Sequence, residues 1–152
     1  MSQIYLAGPF FSDEQIDRVK RIEAALDSNP TVTDYYSPRK HQKTENPEFT
    51  SPWAAEVFQR DIKNVTDADI ILSIIDYRDN DADSGTAFEQ GMAWVQKKPI
   101  IVFNELKFPV NLMLSESLTA YITNSDDIAT YDFDQTPKLP VSYTHLTLPT
   151  IA

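Results

Sequence analysis

The sequence is poor in three residue types: it contains no cysteine, two histidines and three glycines among 152 residues. The absence of cysteine excludes disulfide bonds and thiol chemistry, and it favours a cytoplasmic location. Two histidines, His41 and His145, are too few for a histidine-rich metal site. The composition therefore predicts no bound metal.

Basic residues are also scarce, because 13 lysines and arginines face 23 acidic residues and leave a net charge of −10. This charge repels the phosphates of nucleic acids and of anionic membranes, so neither is expected as a partner. No apolar run approaches the ~18 residues of a membrane span, and no signal-peptide pattern follows Met1. With 41% hydrophobic and 24% charged residues, the chain is expected to form one globular domain.

Segments with strand and helix periodicity alternate along the chain. Short apolar or β-branched runs predict strands at 3–7, 31–36, 68–76, 98–104 and 120–123. Amphipathic or capped stretches predict helices at 12–29, 51–65, 86–97, 111–117 and 125–131. Strands that are apolar on both faces and alternate with helices predict an α/β, flavodoxin-like three-layer sandwich. Its five-stranded parallel sheet is expected in the order 2-1-3-4-5.

Two helix starts and one long loop carry clear local signals. Ser12 with Gln15 forms a capping-box pattern, and Ser51 before Pro52 predicts an N-cap followed by a first-turn proline. The segment 37–51 is polar, contains prolines and is long for a compact domain, which is typical of functional loops. Ligands of such sheets bind beyond the carboxyl ends of the strands, so loops 7–12, 37–51 and 76–86 are expected to meet at one site.

The last segment, 140–152, differs from the rest of the chain. It has no clear period and no charged residue, and it resembles translated cloning sequence. The alternative is a genuine apolar tail that docks on a neighbouring subunit. The domain is therefore predicted to span residues 1–139.

The stretch "DADSGTAFEQGMAW" at 81–94 contains several glycines and carboxylates close together. It holds Gly85 and Gly91, two of the three glycines, together with Asp81, Asp83 and Glu89. Such a cluster, directly after an apolar strand, indicates either a loop and helix start or an active site. The spacing alone does not choose between them.

Glu89 has a purely structural interpretation beside the catalytic one. In the pattern Thr86-x-x-Glu89 the glutamate would bond a backbone N–H as part of a capping box, and a first-turn glutamate is favoured by the helix dipole. Gly91 lies on one helix face with Ala87 and Trp94, where the missing side chain would allow close approach to the sheet.

Other polar and aromatic residues are expected near the same edge of the sheet. Tyr5 lies near the end of the first strand and can direct its hydroxyl at a carboxylate, while Phe10 and Phe11 follow in a loop where a flat heterocycle could bind. Asp61 falls within the apolar arc of its helix, where a carboxylate is either functional or paired with Arg60 or Lys63.

Four segments together resemble the nucleoside 2-deoxyribosyltransferases of lactic-acid-bacterial type. They are "IYLAGPFFSD", the helix with "QRDI", "DSGTAFEQGMAW" and "NLM", in order from about Gln3 to Phe133. The D-x-G-x-x-x-E pattern of Asp83, Gly85 and Glu89 is the most specific part. The resemblance implies a flavodoxin-like enzyme that moves 2-deoxyribose between purine or pyrimidine bases without a cofactor.

The resemblance also implies a role for each matching residue. Glu89 would be the nucleophile that holds the sugar covalently, and Tyr5 would orient it. Asp61 and Asp83 would transfer a proton to the departing base and bond the sugar hydroxyls.

The remaining matching positions are expected to bind substrate. Gln42 corresponds to a glutamine that recognises the base. Four further residues are expected to bind substrate: Phe10, Phe11, Gly8 and Gly85. Asn111 and Met113 would reach into an adjacent subunit, since the family forms homo-oligomers with shared active sites. The expected partners are 2′-deoxynucleosides and free bases.

One departure and two rival functions accompany this interpretation. Family members commonly end in an aromatic-rich segment, whereas this chain ends "LTLPTIA". A 2′-deoxynucleoside 5′-monophosphate N-glycosidase would need phosphate-binding groups, of which the site loops offer few beyond Arg39 and Lys40. A flavodoxin-like binding module would need a loop rich in Ser, Thr and Gly after the first strand. The loop "AGPFFSD" does not have this composition.

Overall fold

Five parallel strands and the helices packed on both sides of them build the domain. The computed structural model describes residues 2–141 and 146–147. The strands are β1 (Ser2–Ala7), β2 (Val32–Tyr36), β3 (Ile70–Ile74), β4 (Ile100–Phe103), β5 (Val110–Asn111), β6 (Ala120–Ile122) and β7 (Leu146–Thr147). The helices are α1 (Asp13–Ser28), α2 (Ser51–Asp67), α3 (Ser84–Val95), α4 (Leu112–Ser115) and α5 (Ser125–Ile128), with a 3₁₀ turn at Pro38–Lys40.

The main sheet has the order β2-β1-β3-β4-β6, and all its strands are parallel. This confirms the predicted order of five strands. Tyr5 on β1 is in register with Tyr36 on β2 and with Ile71 on β3. The carboxyl ends of β1, β2 and β3 therefore open at one edge, which is where the switch in strand order predicts a ligand.

Each face of this sheet carries its own apolar core. Helices α1 and α5 cover one face, where Val19, Ile22 and Leu26 of α1 are buried against the strands. The other face is covered by α2 and α3. The exposed fraction is zero for the β4 side chains, which explains the unbroken apolar run in the sequence. No helix among residues 2–141 has both the length and the hydrophobicity to cross a membrane.

The helix starts confirm one sequence prediction and correct another. Ser12 caps α1 as predicted, with its hydroxyl accepting from the Gln15 N–H at 3.2 Å. The N-cap of α2 is Thr50, however, and Ser51 is the first helical residue. The prediction that Ser51 caps α2 was wrong because the Thr50 hydroxyl accepts the Trp53 N–H at 3.3 Å. Pro52 is then the second residue of the helix, where its missing N–H removes no hydrogen bond within the helix.

The predicted tail lies largely outside the described residues, which omit 142–145 and 148–152. Before it, Leu139 runs beside β6, because its carbonyl accepts from Tyr121 N–H at 2.7 Å and its N–H donates to Thr119. The backbone of β7 pairs in parallel with β5. The boundary at residue 139 and the origin of the tail stay predictions.

Candidate active site

A cavity of about 430 Å³ opens at the carboxyl end of β1. It brings together six of the residues predicted from the sequence: Tyr5, Phe10, Phe11, Gln42, Asp61 and Glu89. The loops after β1 and β2 supply one part of its wall, and α2 and α3 supply the other. An adjoining apolar cavity of about 390 Å³ shares Asp61 and Glu89 and includes Gly85. The two cavities meet along the two carboxylates and the side chains of Trp53 and Val57.

Glu89 lies one turn inside α3 and takes no part in capping it. Its Oε2 atom is shielded from solvent and has no hydrogen-bond partner among the described residues. Burial raises the pKa of Glu89 to about 7, and the nearby charges of Asp61 and Asp83 also raise it, whereas a hydrogen bond with the Tyr5 hydroxyl lowers it. A half-buried carboxylate with one free oxygen is available to a ligand.

The N-cap of α3 is Asp83, so Thr86 and Glu89 do not form the capping box that was the structural alternative to a catalytic Glu89. The Asp83 carboxylate accepts the Thr86 N–H at 3.3 Å, and Thr86 itself is buried. A Cβ atom at Gly85 would lie 3.1 Å from Asp83 Oδ2, so the glycine leaves room for this cap. Asp83 lines neither cavity. Its carboxylate ends the loop and begins the helix that carries Glu89.

Tyr5 is fully buried on β1 and stacks on Tyr36, with ring centroids 5.8 Å apart and an interplanar angle of 13°. The Tyr36 ring stacks in turn on His41 at 4.4 Å. Burial raises the pKa of Tyr5, and the adjacent charges of Glu89 and Asp61 raise it further. The hydroxyl therefore keeps its proton and acts as a hydrogen-bond donor to Glu89.

Asp61 satisfies both of the interpretations left open by the sequence. Its Oδ1 accepts from Arg60 Nε at 3.3 Å, which forms the ion pair, while the carboxylate also lines both cavities. Burial raises the pKa of Asp61, although the charge and hydrogen bond of Arg60 act in the opposite direction. A carboxylic acid with a raised pKa can hold a proton close to Glu89.

Aromatic and amide side chains from two loops form the outer part of the cavity. Phe10 packs partly on the core, whereas Phe11 is 67% exposed, and their rings stack at 5.7 Å. Phe11 also meets Tyr77 edge-to-face at 6.2 Å. The exposed Gln42 directs its amide Nε2 to the Arg39 carbonyl at 2.8 Å, which leaves its amide oxygen for another partner.

Gly8, Asn111 and Met113 were predicted to bind substrate but line neither of these cavities. Gly8 follows β1 beside β3, where an added Cβ would approach Ile74 Cβ to 2.8 Å, so its role in the fold is close packing. Asn111 caps α4 by accepting the Met113 N–H at 2.9 Å. Met113 is 72% exposed and borders a separate hollow of about 380 Å³ that also contains Gly91.

The prediction for Gly91 was wrong. A Cβ atom at this position would meet no atom within 4 Å, and the residue is exposed on α3 beside Trp94. The glycine faces away from the sheet, because Gln90 and Ala93 are the side chains of this turn that are buried.

Several cavity residues were missed by the sequence analysis: Glu48, Phe49, Trp53, Val57 and Arg60. Trp53, Val57 and Asp61 lie at helical spacing on one face of α2, a signal that was present in the sequence. Nothing local distinguished Phe49 from other loop residues.

The two carboxyl groups in this cavity are suited to nucleophilic attack and to proton transfer. Glu89 can attack an electrophilic carbon, and Asp61 can supply a proton, within a cavity whose walls are mostly aromatic and aliphatic. Among residues 2–141 and 146–147, no group of three or more histidine or acidic side chains has metal-binding geometry.

Comparisons with known proteins identify the family. Residues 4–133 match the model of the nucleoside 2-deoxyribosyltransferase family. A nucleoside deoxyribosyltransferase of Limosilactobacillus fermentum is 27% identical over 146 residues, which cover 88% of this chain and 86% of that protein.

Solved structures agree with this assignment. The structure of a 2-deoxyribosyltransferase from Bacillus psychrosaccharolyticus is 36% identical with a TM-score of 0.83, and the match covers 92% of this chain and 99% of the other. A conserved protein from Enterococcus faecalis V583, 18% identical with a TM-score of 0.68 over 85% and 95% of the two chains, shares the fold. With its predicted fold and carboxylate-lined cavity in place, the chain belongs to the nucleoside 2-deoxyribosyltransferase family and is an enzyme of that kind.

Proposed function

We propose that the enzyme transfers 2-deoxyribose between bases by double displacement at Glu89. The ionised carboxylate attacks C1′ of a deoxynucleoside and forms a glycosyl ester. The N-glycosidic bond breaks as it does so, and its electron pair leaves on the base nitrogen, which takes a proton. A second base then attacks C1′ and releases the carboxylate. Two inversions at one carbon retain the configuration of the sugar.

The observation that carries this proposal is the environment of Glu89. Its Oε2 is buried without a partner among the described residues, while the Tyr5 hydroxyl bonds the same carboxylate. A glutamate held in this way has one oxygen oriented and one oxygen available to a reacting carbon. Burial disfavours its charge, which raises its nucleophilicity and favours neutralisation by an oxocarbenium-like sugar.

Asp61 is the proposed proton donor to the leaving base. It lines the same cavity as Glu89, and its pKa is raised by burial, so a proton is more available than on a solvated aspartate. Asp83 does not line the cavities itself, but it is near enough to Glu89 to raise that residue's pKa, so we assign its remaining acceptor capacity to a hydroxyl of a sugar bound at Glu89. Once Asp61 has delivered its proton, it can recover one from the incoming base.

The base is proposed to bind among the aromatic side chains of the outer cavity. Phe10 and Phe11 offer flat surfaces, and the amide oxygen of Gln42 can accept from a base N–H. A nucleotide substrate is less well supported, because Arg39 is paired with Glu23 at 2.5 Å and Lys40 bonds the Tyr35 hydroxyl. We therefore assign neutral deoxynucleosides and free bases as substrates.

We also propose that the enzyme is a homo-oligomer with shared active sites. Asn111 and Met113 lie outside the cavity of their own chain, and Met113 is largely exposed beside the exposed Trp94. Exposed methionine and tryptophan on adjacent helices are typical of a subunit interface. In this arrangement the segment 111–113 completes the pocket of a neighbour.

The test is to trap the intermediate. Wild-type protein incubated with thymidine and no acceptor base is expected to gain one deoxyribosyl unit on a peptide that contains Glu89, located by mass spectrometry. With adenine present, chromatography should show a new deoxynucleoside. Glu89→Gln should lose both signals, by several orders of magnitude in turnover, because an amide cannot form the ester.

Glu45→Gln is the matched control, because the Glu45 side chain is exposed and lines neither cavity, and this variant should behave as wild type. A label on another residue, or near-normal exchange in the Glu89 variant, would contradict the covalent mechanism. Free base without a new deoxynucleoside would indicate a hydrolase instead.

A further inference from the structure

Phe49 has an unusual backbone conformation directly before α2. Its φ angle is 64°, in the left-handed region that bulky side chains rarely adopt. In the part of the chain that the structure describes, five other residues are left-handed, and all five are polar: Asp79, Asn80, Lys97, Lys107 and Thr136. Phe49 is the one apolar residue among the six. The Phe49 ring is also 86% exposed. The backbone conformation and the exposed apolar surface of Phe49 are therefore both unfavourable for the fold itself.

The surrounding turn is held firmly in place. Glu56 on α2 accepts the backbone N–H groups of Glu45 and Asn46 at 2.8 and 3.1 Å, and also the Asn46 side chain at 2.7 Å. On the other side of Phe49, the Thr50 hydroxyl donates to the Pro47 carbonyl at 2.6 Å. These bonds fix the chain on both sides of the left-handed residue.

This turn directs the Phe49 ring to the active-site cavity. The ring packs on Trp53 with centroids 5.3 Å apart, and both side chains line the cavity that contains Glu89. Phe10 and Phe11 line the same cavity from the loop after β1. The exposed surface of Phe49 therefore lies where a flat, weakly polar ligand would cover it.

We propose that Phe49 is a base-contacting residue that favours large bases. This proposal rests on the proposed function, which brings a nucleobase into this cavity. The base would bind between the Phe10–Phe11 loop and the Phe49–Trp53 pair, and it would bury the Phe49 ring on binding. A purine offers a larger flat surface than a pyrimidine, so the contact contributes more to purine binding.

Phe49→Gly separates binding from folding, because glycine adopts a left-handed conformation without strain. The variant is expected to melt no lower than wild type. Its KM and equilibrium Kd for adenine should rise about tenfold, within the range by which aromatic stacking contributes to base binding. The corresponding rise for cytosine should be smaller, and kcat at saturation should stay within about twofold.

Two controls accompany this variant. Lys97→Gly removes a side chain at another left-handed position, two residues beyond the end of α3, and should leave the Kd for adenine unchanged. Phe49→Tyr keeps the ring and should bind adenine as wild type does.

Calorimetry with adenine alone, without a sugar donor, reports base binding whether or not transfer occurs. An unchanged Kd in Phe49→Gly would overturn the proposal, and so would an equal rise for adenine and cytosine. A lower melting temperature with a matching loss of kcat would also overturn it, in favour of a structural role. Wild-type protein that binds adenine but transfers no sugar would instead contradict the proposed function and leave the Phe49 result readable.

Discussion

Glu89 lies where an ionised carboxylate is costly, since burial and the charges of Asp61 and Asp83 all raise its pKa. The hydrogen bond from the Tyr5 hydroxyl lowers the pKa. An electrostatic cost of this kind is typical of ionisable residues at functional sites, which contribute to the reaction rather than to the stability of the fold. The same side chain that the proposed mechanism requires should therefore reduce the stability of the fold.

This cost predicts a pH-dependent stability difference between wild type and Glu89→Gln. The pKa is about 7 in the folded protein against 4.5 for an unperturbed glutamate, so the folded state holds the proton more tightly. As pH rises from about 4.5 to 7, the wild type should lose free energy of unfolding relative to the variant, by roughly 1–2 kcal/mol for a half-buried group. Above pH 7 the difference should be constant.

Chemical denaturation at a series of pH values measures this difference, with Glu45→Gln as the exposed control. A difference that grows towards acid pH would mean that Glu89 is stabilised as an anion in the folded state, and would contradict the assigned environment.

At the scale of elements, the start of α3 combines two functions. Asp83 caps the helix through the Thr86 N–H, and its charge also raises the pKa of Glu89 two turns away. Helix α2 likewise serves both fold and site, because one face presents Trp53, Val57 and Asp61 to the cavity. Both helices begin with a side-chain cap, Thr50 for α2 and Asp83 for α3, which fixes the start of each helix beside the cavity.

Asp83→Asn tests the two functions separately. Asparagine is as good an N-cap as aspartate, so the melting temperature should hardly change, whereas Asp83→Ala should cost about 1 kcal/mol. Loss of the Asp83 charge should lower the pKa of Glu89 and move the rise of kcat/KM with pH to lower pH. A pH–rate profile measures the shift. A midpoint that stays in place or moves to higher pH would contradict a repulsion between the two carboxylates.

At the scale of the whole molecule, the order β2-β1-β3-β4-β6 decides which loops can meet. It places the loops after β1 and β2 beside α3, while α4 lies farther along the sheet, next to Trp94. The Gln90 amide ties α4 to this framework by donating to the Leu114 carbonyl at 3.0 Å. This hydrogen bond holds the segment that carries Met113 next to α3, with Met113 itself exposed.

Shared sites predict that two inactive variants complement each other. In Met113→Lys the charged side chain should block a neighbour's pocket, and Glu89→Gln lacks the nucleophile. In mixed dimers one of the two sites has both native residues, so an equimolar mixture should recover up to about a quarter of wild-type activity. Transfer assays after subunit exchange, verified with differently tagged chains, measure the recovery. Complete inactivity despite exchange, or an active monomer in sedimentation, would contradict shared sites.

The five strands of the main sheet, their order, the five helices and the family could be predicted from the order of residues alone, whereas the short strands β5 and β7 and the 3₁₀ turn could not. Apolar runs such as 98–104 and the periodicity of 12–29 report burial directly, because the apolar side chains in them face a core. Ser12 with Gln15 could be assigned from sequence because a cap involves only neighbouring residues. The motifs around Tyr5, Asp61 and Glu89 likewise indicated which carboxylates and hydroxyl would meet.

The surroundings of each of those side chains are set only by the folded chain. Whether Thr50 or Ser51, and Asp83 or Thr86, begins a helix depends on small differences in hydroxyl and carboxylate geometry that a sequence pattern does not contain. Gly91 faces outward because of the rotation of α3 about its axis. Phe49 faces the cavity because hydrogen bonds to Glu56 hold the turn that precedes it. The pKa of Glu89 belongs to this class as well, since it depends on the burial and charges contributed by β1 and α2 from distant parts of the chain.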